Sequence, residues 1–305
     1  MYLALDITKQ GVHAHLNRLQ RQNEIEGQLL VLITQIRKDH PTMSMRSMYY
    51  KIDPPEMGRD KFELFCIGYG LRSQQYRTPF KTTDSTGVKR FPNLIENMEI
   101  TGANQVWVSD ITYFDVQGRF FYLSFVMDAF TRFIKGYSVS KSLRTQDTTI
   151  PALKMALRKH NIQPGLIFHS DGGGQYYSTA FLELTNHFKM HNSMAKEAYQ
   201  NPQAERVNGT IKNNYLIHLR IETYEQLTKA VDRSVYLYNQ GKPHKSLKYL
   251  TPQKMEEKSY ICYGQSADGE KSLAANFAVI GALSPLTAGQ SASGSNVMSA
   301  NLIKS

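Results

Sequence analysis

The segment from residue 105 to residue 140 restricts the fold of this chain more than any other part of the sequence. It contains three consecutive strand patterns rich in β-branched and aromatic residues: "QVWVSDITYFDV", "FFYLSFVMDAF" and "FIKGYSVS". A helix pattern at 148–161 and a buried strand pattern at 165–171 follow. Strands that are joined as hairpins and then alternate with helices predict an α/β domain with a mixed sheet.

Three further helices are predicted after these strands, at 178–192, 201–215 and 223–241. The middle helix begins with a proline in its first turn, where proline is tolerated. Its apolar residues recur at steps of three and four and predict a buried stripe: Ala204, Val207, Ile211 and Tyr215. Glu205 and Lys212 lie on nearly the same side of the predicted helix, away from that stripe. Their face is either an ordinary solvated surface or part of a site.

Two aspartates occupy positions that suggest chemistry. Asp110 lies inside the first strand, where an unpaired buried carboxylate is costly and requires a cation, a hydrogen-bond network or a metal. Asp171 ends the "LIFHSD" strand just before three glycines, and α/β sheets place their sites at such strand ends. Structural interpretations stay open for both: a salt bridge for Asp110, and a cap on the glycine turn for Asp171.

Other polar residues fit structural roles better. Asp128 ends the second strand and is placed to pair with Arg132, while Asp115 belongs to a turn. Glu197 is predicted to face solvent, and His169 is predicted to be a buried structural histidine. The sequence contains no Ser/His/Asp signature, Walker loop or GxGxxG fingerprint.

A convergence of Asp110, Asp171 and Glu205 would create an oxygen-only site with three negative charges. Mg²⁺ and Mn²⁺ are hard cations that prefer such carboxylate ligands. Two ions of this kind can activate a water or hydroxyl and stabilise the leaving oxygen in phosphodiester displacement. The three residues are therefore candidates for a metal-dependent phosphodiester site.

The N-terminal region is predicted to be helical at 10–38, 42–52 and 58–70. Three helices with tight breaks suit a helix-turn-helix module, although similar packing is common in proteins that do not bind DNA. On the DNA-binding interpretation, the contacting residues include three basic side chains: Arg46, Arg59 and Lys61.

The whole chain is predicted to have four parts. They are a helical DNA-binding region at 1–72, a polar linker at 73–103, an α/β core at 104–258, and a flexible tail at 259–305 that is rich in Ser, Ala and Gly.

Charge and cysteine usage restrict the setting and the partner. The net charge is +10, of which +7 lies within residues 101–258, so the core favours a polyanionic partner. The two cysteines form no C-x-x-C pair, which argues against a disulfide framework or a cysteine zinc site. The sequence also has no apolar run long enough for a bilayer and no recognisable secretory signal. We therefore expect a cytoplasmic protein with no membrane partner.

Four sequence blocks resemble those of the DDE integrase/transposase core. "WVSDITYF", "HSDGGGQYYS" and "NPQAERVNGTIKNNY" are similar to its three catalytic blocks, and "YNQGKPHKSLKYLTPQKM" resembles its closing block. The resemblance covers about residues 27–258 and is greatest to second-frame (OrfB-type) transposases of bacterial insertion sequences with two overlapping frames. Any one block is weak evidence, but four in the same order are strong evidence.

The resemblance implies an RNase H-like fold in which Asp110, Asp171 and Glu205 form the metal-binding catalytic triad. It implies that this triad binds two ions of Mg²⁺ or Mn²⁺. It implies that Lys212 contacts DNA at the element ends, and Arg206, beside Glu205, is a further candidate. The implied chemistry is hydrolytic nicking at the 3′ ends, followed by attack of the freed 3′-hydroxyl on a new phosphodiester. The implied partners are terminal-repeat and target DNA, further copies of the chain, and the first-frame product, in the bacterial cytoplasm at the nucleoid.

The sequence also departs from the family pattern. The 33 residues between Asp171 and Glu205 are slightly fewer than usual, Gly172 replaces a common arginine, and Lys242 stands where arginine is common. The zinc module of retroviral integrases is absent from the sequence. Two other functions stay open: binding of element ends without cutting, and metal-dependent nuclease activity without strand transfer.

Overall fold

A five-stranded mixed sheet forms the centre of the molecule in the computed structural model, which describes residues 8–73, 91–195 and 200–263. The strands are β1 (Val106–Val116), β2 (Arg119–Asp128), β3 (Ile134–Ser140), β4 (Ile167–Ser170) and β5 (His191–Met194). Their order is β3-β2-β1-β4-β5. The first three strands pair antiparallel, whereas β4 pairs parallel to β1 and β5 parallel to β4. The predicted mixed α/β fold is confirmed.

The β1–β2 hairpin is closed by a two-residue turn at Gln117 and Gly118. Both residues have positive φ, 54° and 79°, which is the geometry that matches the twist of hairpin strands. The Asp115 carboxylate accepts a hydrogen bond from the Gly118 amide at 2.9 Å, so Asp115 has the turn role predicted for it.

Five helices accompany the sheet: α4 (Thr149–Lys159), α5 (Thr179–His187), α6 (Pro202–Asn214), α7 (Tyr224–Tyr236) and α8 (Pro252–Tyr263). Alternate residues of the central strands contact different helices. Val106 and Val108 pack in one core with apolar residues of α6 and α7, whereas Trp107 packs in a second core with α4 and α5. The predicted apolar stripe of α6 is confirmed, because all four of its residues are buried.

The predicted helix at 178–192 is wrong in its last part. The helix α5 ends at His187, and Lys189 then adopts a φ of 52°, a left-handed conformation that stops the helix. Residues His191–Met194 form the edge strand β5 against β4. The predicted helix at 223–241 is α-helical only to Tyr236, and residues Leu237–Gly241 form a π-helical turn.

Three N-terminal helices are present, as predicted: α1 (Lys9–Asp39), α2 (Met45–Ile52) and α3 (Arg59–Gly68). Ser44 caps α2 by accepting a hydrogen bond from the Ser47 amide. The three helices share a small apolar core that includes Ile33, Met48 and Phe62. No helix in the described ranges combines the length and apolar character that crossing a membrane requires.

The N-terminal helices lie against the end of α6, against α7 and against the segment that follows α7. The contacts between them include two hydrogen bonds: His40 Nδ1 lies 3.1 Å from Tyr215 Oη, and Lys51 donates to Gly241 O at 2.8 Å. In addition, Arg233 pairs with Asp39 at 2.7 Å, and the Tyr50 and Tyr249 rings stack at 4.0 Å. Since His40 and Tyr215 are both buried, the contact between these two residues is part of the packed interior. The boundaries at 72, 103 and 258 stay predictions.

Candidate active site

Asp110 and Asp171 lie at the point where β1 and β4 stop pairing. The last paired residues of the two parallel strands are Ser109 and Ser170. Asp110 directly follows Ser109, and Asp171 directly follows Ser170. The two carboxyl groups therefore belong to neighbouring positions on the two strands. Asp110 still belongs to β1 and pairs with Phe125 of β2, whereas Asp171 begins the glycine-rich turn. The strand and strand-end placements predicted for these residues are confirmed.

The surroundings of the two carboxyl groups disfavour their ionised forms. Burial, together with the charges of Asp171 and Glu205, raises the pKa of Asp110 to about 7. Burial also raises the pKa of Asp171. Both shifts have the sign expected for carboxylates that are removed from water. A bound cation would oppose both shifts, because a nearby positive charge favours the ionised carboxylates.

Hydrogen bonds, rather than a salt bridge, hold Asp110. Its Oδ1 accepts from the Ile111 amide at 2.8 Å, and its Oδ2 accepts from Asn208 Nδ2 at 2.9 Å. Among the described residues, no ion pair includes Asp110. For Asp171 the capping interpretation is confirmed, since its Oδ1 accepts from the Gly173 amide at 3.1 Å. That bond leaves lone pairs on the carboxylate for another ligand.

Glu205 lies in the first turn of α6 with an exposed side chain. The start of α6 is fixed to β1 because Asn201 Nδ2 donates to the Ser109 carbonyl at 3.0 Å. The charge of Glu205 contributes to the raised pKa of Asp110, so Glu205 lies within electrostatic range of Asp110. Within the described part of the chain, however, no three acidic, histidine or cysteine side chains are close enough together to hold a metal ion. The structure therefore brings Asp110 and Asp171 together and leaves Glu205 at the edge of the site.

Asn208 is a site residue for which the sequence indicated no role. It donates to Asp110, and its own Oδ1 is buried without a hydrogen-bond partner. A buried acceptor without a partner is costly and requires an explanation, such as an ion or a water. The only sequence signal was its position three residues after Glu205 on α6.

Lys212 is not on an open surface. It is 4% exposed and donates from Nζ to Thr112 Oγ1 at 2.7 Å and to the Tyr113 carbonyl at 3.3 Å. Burial lowers the pKa of Lys212 to about 8, and the nearby Asp110 carboxylate opposes that shift. Lys212 therefore joins α6 to β1 beside the carboxylates. Its contact with DNA stays a prediction.

The other candidate DNA-contacting residues lie on the surface. Arg206 and Lys61 have exposed side chains. Arg46 pairs with Glu63 at 2.8 Å, and Arg59 pairs with its neighbour Asp60 at the same distance. Exposed ion pairs of this kind contribute little to stability, so both arginines can exchange partners. Their contact with DNA stays a prediction.

The residues ranked lower as chemical candidates have structural surroundings. Asp128 accepts hydrogen bonds from the backbone amides of Asn104 and Thr131, at 2.6 and 2.8 Å, rather than pairing with Arg132. His169 is completely buried and lies 2.9 Å from Ser193 Oγ, as expected for a structural histidine. Glu197 lies outside the described residues.

Comparison with known proteins identifies relatives for the segment that carries this site. Two family models, each described as an integrase core domain, match residues 100–199 and 186–252. The chain is 31% identical to the insertion element IS600 uncharacterized 31 kDa protein of Shigella sonnei, over 66% of this chain and 76% of that protein. It is 30% identical to the transposase for insertion sequence element IS904 of Lactococcus lactis, over 64% and 78% respectively.

Similar solved structures include the HTLV-2 integrase catalytic core domain in complex with magnesium, in its trimeric form. It is 21% identical, covers 50% of this chain and 97% of that one, and has a TM-score of 0.42.

Proposed function

Because this chain belongs to the integrase core superfamily of DDE transposases of insertion sequences, we propose that Asp110, Asp171 and Glu205 are its catalytic carboxylates. Members of this superfamily are polynucleotidyl transferases, and the activity of the chain is DNA transposition. The chemistry is hydrolysis of a phosphodiester at the 3′ ends of the element, followed by transesterification into target DNA.

The observation that carries the residue assignment is the placement of Asp110 and Asp171. They occupy neighbouring positions where two parallel strands separate, and no salt bridge in the described residues neutralises Asp110. Keeping two carboxyl groups close together and partly buried has no stabilising purpose, since each disfavours the ionised form of the other. Such an arrangement is typical of a functional site.

The residues present fit a divalent cation. The donor set consists of carboxylate oxygens, and Asn208 donates from Nδ2 to one of them while its own Oδ1 is buried without a partner. Oxygen donors suit Mg²⁺ or Mn²⁺. Asp110 and Asp171 would hold the metal first, and Glu205 would join them when its exposed side chain turns inward. When two such ions are bound, they supply an activated nucleophile and stabilise the leaving oxygen.

The partners follow from the activity and the charge. The substrate is double-stranded DNA, namely the terminal repeats of the element and a target duplex, in the bacterial cytoplasm at the nucleoid. Arg206 lies beside Glu205 with an exposed side chain, and we expect it to contact a phosphate. The reaction involves two element ends, so we expect a dimer or larger assembly on DNA, with the first-frame product as a further partner.

The test is a cleavage and strand-transfer assay on terminal-repeat DNA with Mg²⁺. We expect Asp110→Asn, Asp171→Asn and Glu205→Gln each to abolish both reactions while retaining DNA affinity in a gel-shift assay. Glu225→Gln changes an exposed acid at the start of α7 and is the matched control, which should keep full activity.

Full activity of any of the three variants would remove that residue from the catalytic set. Cleavage without strand transfer by the unmodified protein would indicate a nuclease, and tight binding without cleavage would indicate a binding protein.

A further inference from the structure

Ser109, the residue before Asp110 on β1, is hydrogen-bonded to two other parts of the chain. Its side-chain Oγ lies 3.0 Å from the hydroxyl of Tyr176, and its carbonyl accepts from Asn201 Nδ2 at 3.0 Å. The exposed fractions of Ser109, Tyr176 and Asn201 are 1%, 2% and 3%. Ser109 therefore joins three chain segments in the interior, and each of these segments carries one of the three acids.

The bond to Tyr176 restrains the turn that follows Asp171. Three glycines come directly after Asp171, and glycine gives the backbone more conformational freedom than any other residue. Tyr176 lies at the end of this stretch, in a short 3₁₀ turn (Gly174–Tyr177), and its ring packs against Phe168 and Phe181 with ring centroids 6.0 and 5.5 Å away. Because both the ring and the hydroxyl of Tyr176 are held, the far end of the glycine turn is fixed relative to β1.

The bond to Asn201 restrains the start of α6. The Asn201 carbonyl accepts from the Glu205 amide at 3.3 Å, so two successive residue contacts lead from Ser109 to the backbone of Glu205. The Asn201 side chain makes no capping bond to the helix, and its Oδ1 is buried without a hydrogen-bond partner. The side chain of Asn201 therefore connects the helix to β1 rather than capping the helix.

Stability alone does not explain the pairing of Ser109 with Tyr176. Tyr176 belongs to the apolar core that contains Trp107, and Ser109 lies on the same face of β1 as Trp107 because alternate residues of a strand share a face. Replacing both partners of a buried hydrogen bond by apolar groups of the same shape can be nearly neutral for stability. The hydroxyl pair adds a contact with a preferred direction, which apolar packing does not provide.

Tyr176 also lies close to the acids. Burial, together with the charges of Asp171 and Asp110, raises the pKa of Tyr176 well above its ordinary value. The hydroxyl is therefore neutral at pH 7. Because it is neutral and buried, it acts on the site through Ser109 and not by contact with a metal or with DNA.

We propose that three positioning residues hold the chain segments of the three acids at the spacing that a divalent cation requires: Ser109, Tyr176 and Asn201. The proposal rests on the proposed function, because it takes the three acids as the metal ligands. Ligands that are already held in place bind an ion more tightly than ligands that must be ordered when the ion binds. The two hydrogen bonds of Ser109 therefore contribute to metal affinity.

Titration of the whole chain with Mn²⁺ tests the positioning residues without the chemical step. Tyr176→Phe removes only the hydroxyl, Ser109→Ala removes the same bond from the other side, and Asn201→Ala removes the second bond. Tyr224→Phe is the matched control. It also loses a hydroxyl hydrogen bond, which Tyr224 donates to the Val139 carbonyl at 2.8 Å on β3, two strands away from β1.

We expect Tyr176→Phe, Ser109→Ala and Asn201→Ala each to bind Mn²⁺ about 10- to 100-fold more weakly, the range found when residues that orient metal ligands are lost. The same variants should need more Mg²⁺ for half-maximal cleavage. The combined Ser109→Ala and Tyr176→Phe variant should lose no more affinity than either change alone, because both remove one bond. Tyr224→Phe should keep the Mn²⁺ affinity of the unmodified protein.

Urea denaturation of every variant separates positioning from folding. If Tyr176→Phe does not fold, Ser109→Ala reports on the same bond. Unchanged Mn²⁺ affinity in the folded Ser109→Ala and Asn201→Ala variants would overturn the positioning role. An equal loss of affinity in Tyr224→Phe would assign the effect to general destabilisation and would also overturn it.

A failure of the proposed function gives a different result. In that case the unmodified protein does not cleave terminal-repeat DNA, and Asp110→Asn leaves the Mn²⁺ affinity unchanged, which removes the triad and the positioning role together. A failure of the positioning role alone leaves cleavage by the unmodified protein intact, and the Mn²⁺ affinity then depends on Asp110 but not on Tyr176 or Asn201.

Discussion

At the scale of single residues, Asn208 should affect activity through its contact with Asp110. Its amide donates to Asp110 Oδ2 at 2.9 Å and so fixes the orientation of that carboxylate. We expect Asn208→Ala to lower the rate of cleavage about 10- to 100-fold, as is usual when a partner of a metal ligand is removed. The measurement is the cleavage rate as a function of Mg²⁺ concentration, where the variant should require more metal.

Asn214→Ala, in the last turn of the same helix, is the control and should keep the cleavage rate of the unmodified protein. An Asn208→Ala variant with unchanged rate and unchanged metal requirement would show that the hydrogen bond is only structural.

The buried His40 predicts a pH dependence of stability. Burial, with the nearby Lys51 charge, lowers the pKa of His40 to about 4, below an ordinary value of about 6.5. The unfolded chain therefore binds the proton first as pH falls. His40 contributes no penalty at pH 7, and folding stability is lost as the pH falls from about 6.5 towards 4.

We expect His40→Gln to reduce the loss of unfolding free energy between pH 7 and pH 5 by about 2 kcal/mol. Urea unfolding at the two pH values measures this change in unfolding free energy. His187→Gln is the control, since His187 is exposed. An identical pH dependence of the His40→Gln variant and the unmodified protein would contradict the prediction.

The sequence predicted individual site positions better than their contacts. Asp110 inside a strand and Asp171 at a strand end were both recognisable from local pattern and from the resemblance. The bond between Asn208 and Asp110, and the burial of Lys212 against Thr112, depend on how α6 packs on β1. Residues about 100 positions apart in the chain form these contacts. The position of a residue around its helix does not predict which distant residue it will contact.

At the scale of elements, local pattern failed where tertiary pairing decides the structure. The segment His191–Met194 has no strand alternation, and its β conformation comes from pairing with β4. Short segments of this kind are ambiguous between helix and strand in a sequence. The long hairpin of β1 and β2 was predictable because its alternation and its two-residue turn agree with each other.

The packing of α4 on β3 depends on Gly136. A Cβ at this position would overlap the Ala152 carbonyl oxygen and lie 2.6 Å from the Ala156 amide nitrogen. Both neighbours are helix backbone, which cannot move aside cheaply. We expect Gly136→Ala to lower the free energy of unfolding by about 1–3 kcal/mol or more, as measured by urea denaturation.

Gly27→Ala is the matched control in the middle of α1, where an added Cβ meets nothing within 4 Å. It should stabilise the chain by about 0.5–1 kcal/mol, because alanine favours a helix. Equal stability of the Gly136→Ala variant and the unmodified protein would show that α4 can shift to accept the methyl group.

At the scale of the whole molecule, the uneven charge predicts how DNA affinity responds to salt. Of the net charge of +10, +7 lies within residues 101–258, the part of the chain that carries the candidate site. Each phosphate that the protein neutralises releases counterions, so the logarithm of affinity falls with the logarithm of salt concentration by about 0.9 per phosphate. The total slope therefore counts the phosphates along the path of the DNA.

Arg206 tests whether that path crosses the start of α6. It is exposed and adjacent to Glu205, so a DNA strand held at the carboxylates should pass within its reach. We expect Arg206→Gln to reduce the salt slope by about 1 on every duplex sequence tested, as for the loss of one phosphate contact. Arg206→Lys keeps the charge and should keep the slope. If Arg206→Gln leaves the slope unchanged while Asp110→Asn abolishes cleavage, the carboxylates are catalytic but the DNA approaches them from the side of the hairpin rather than over α6.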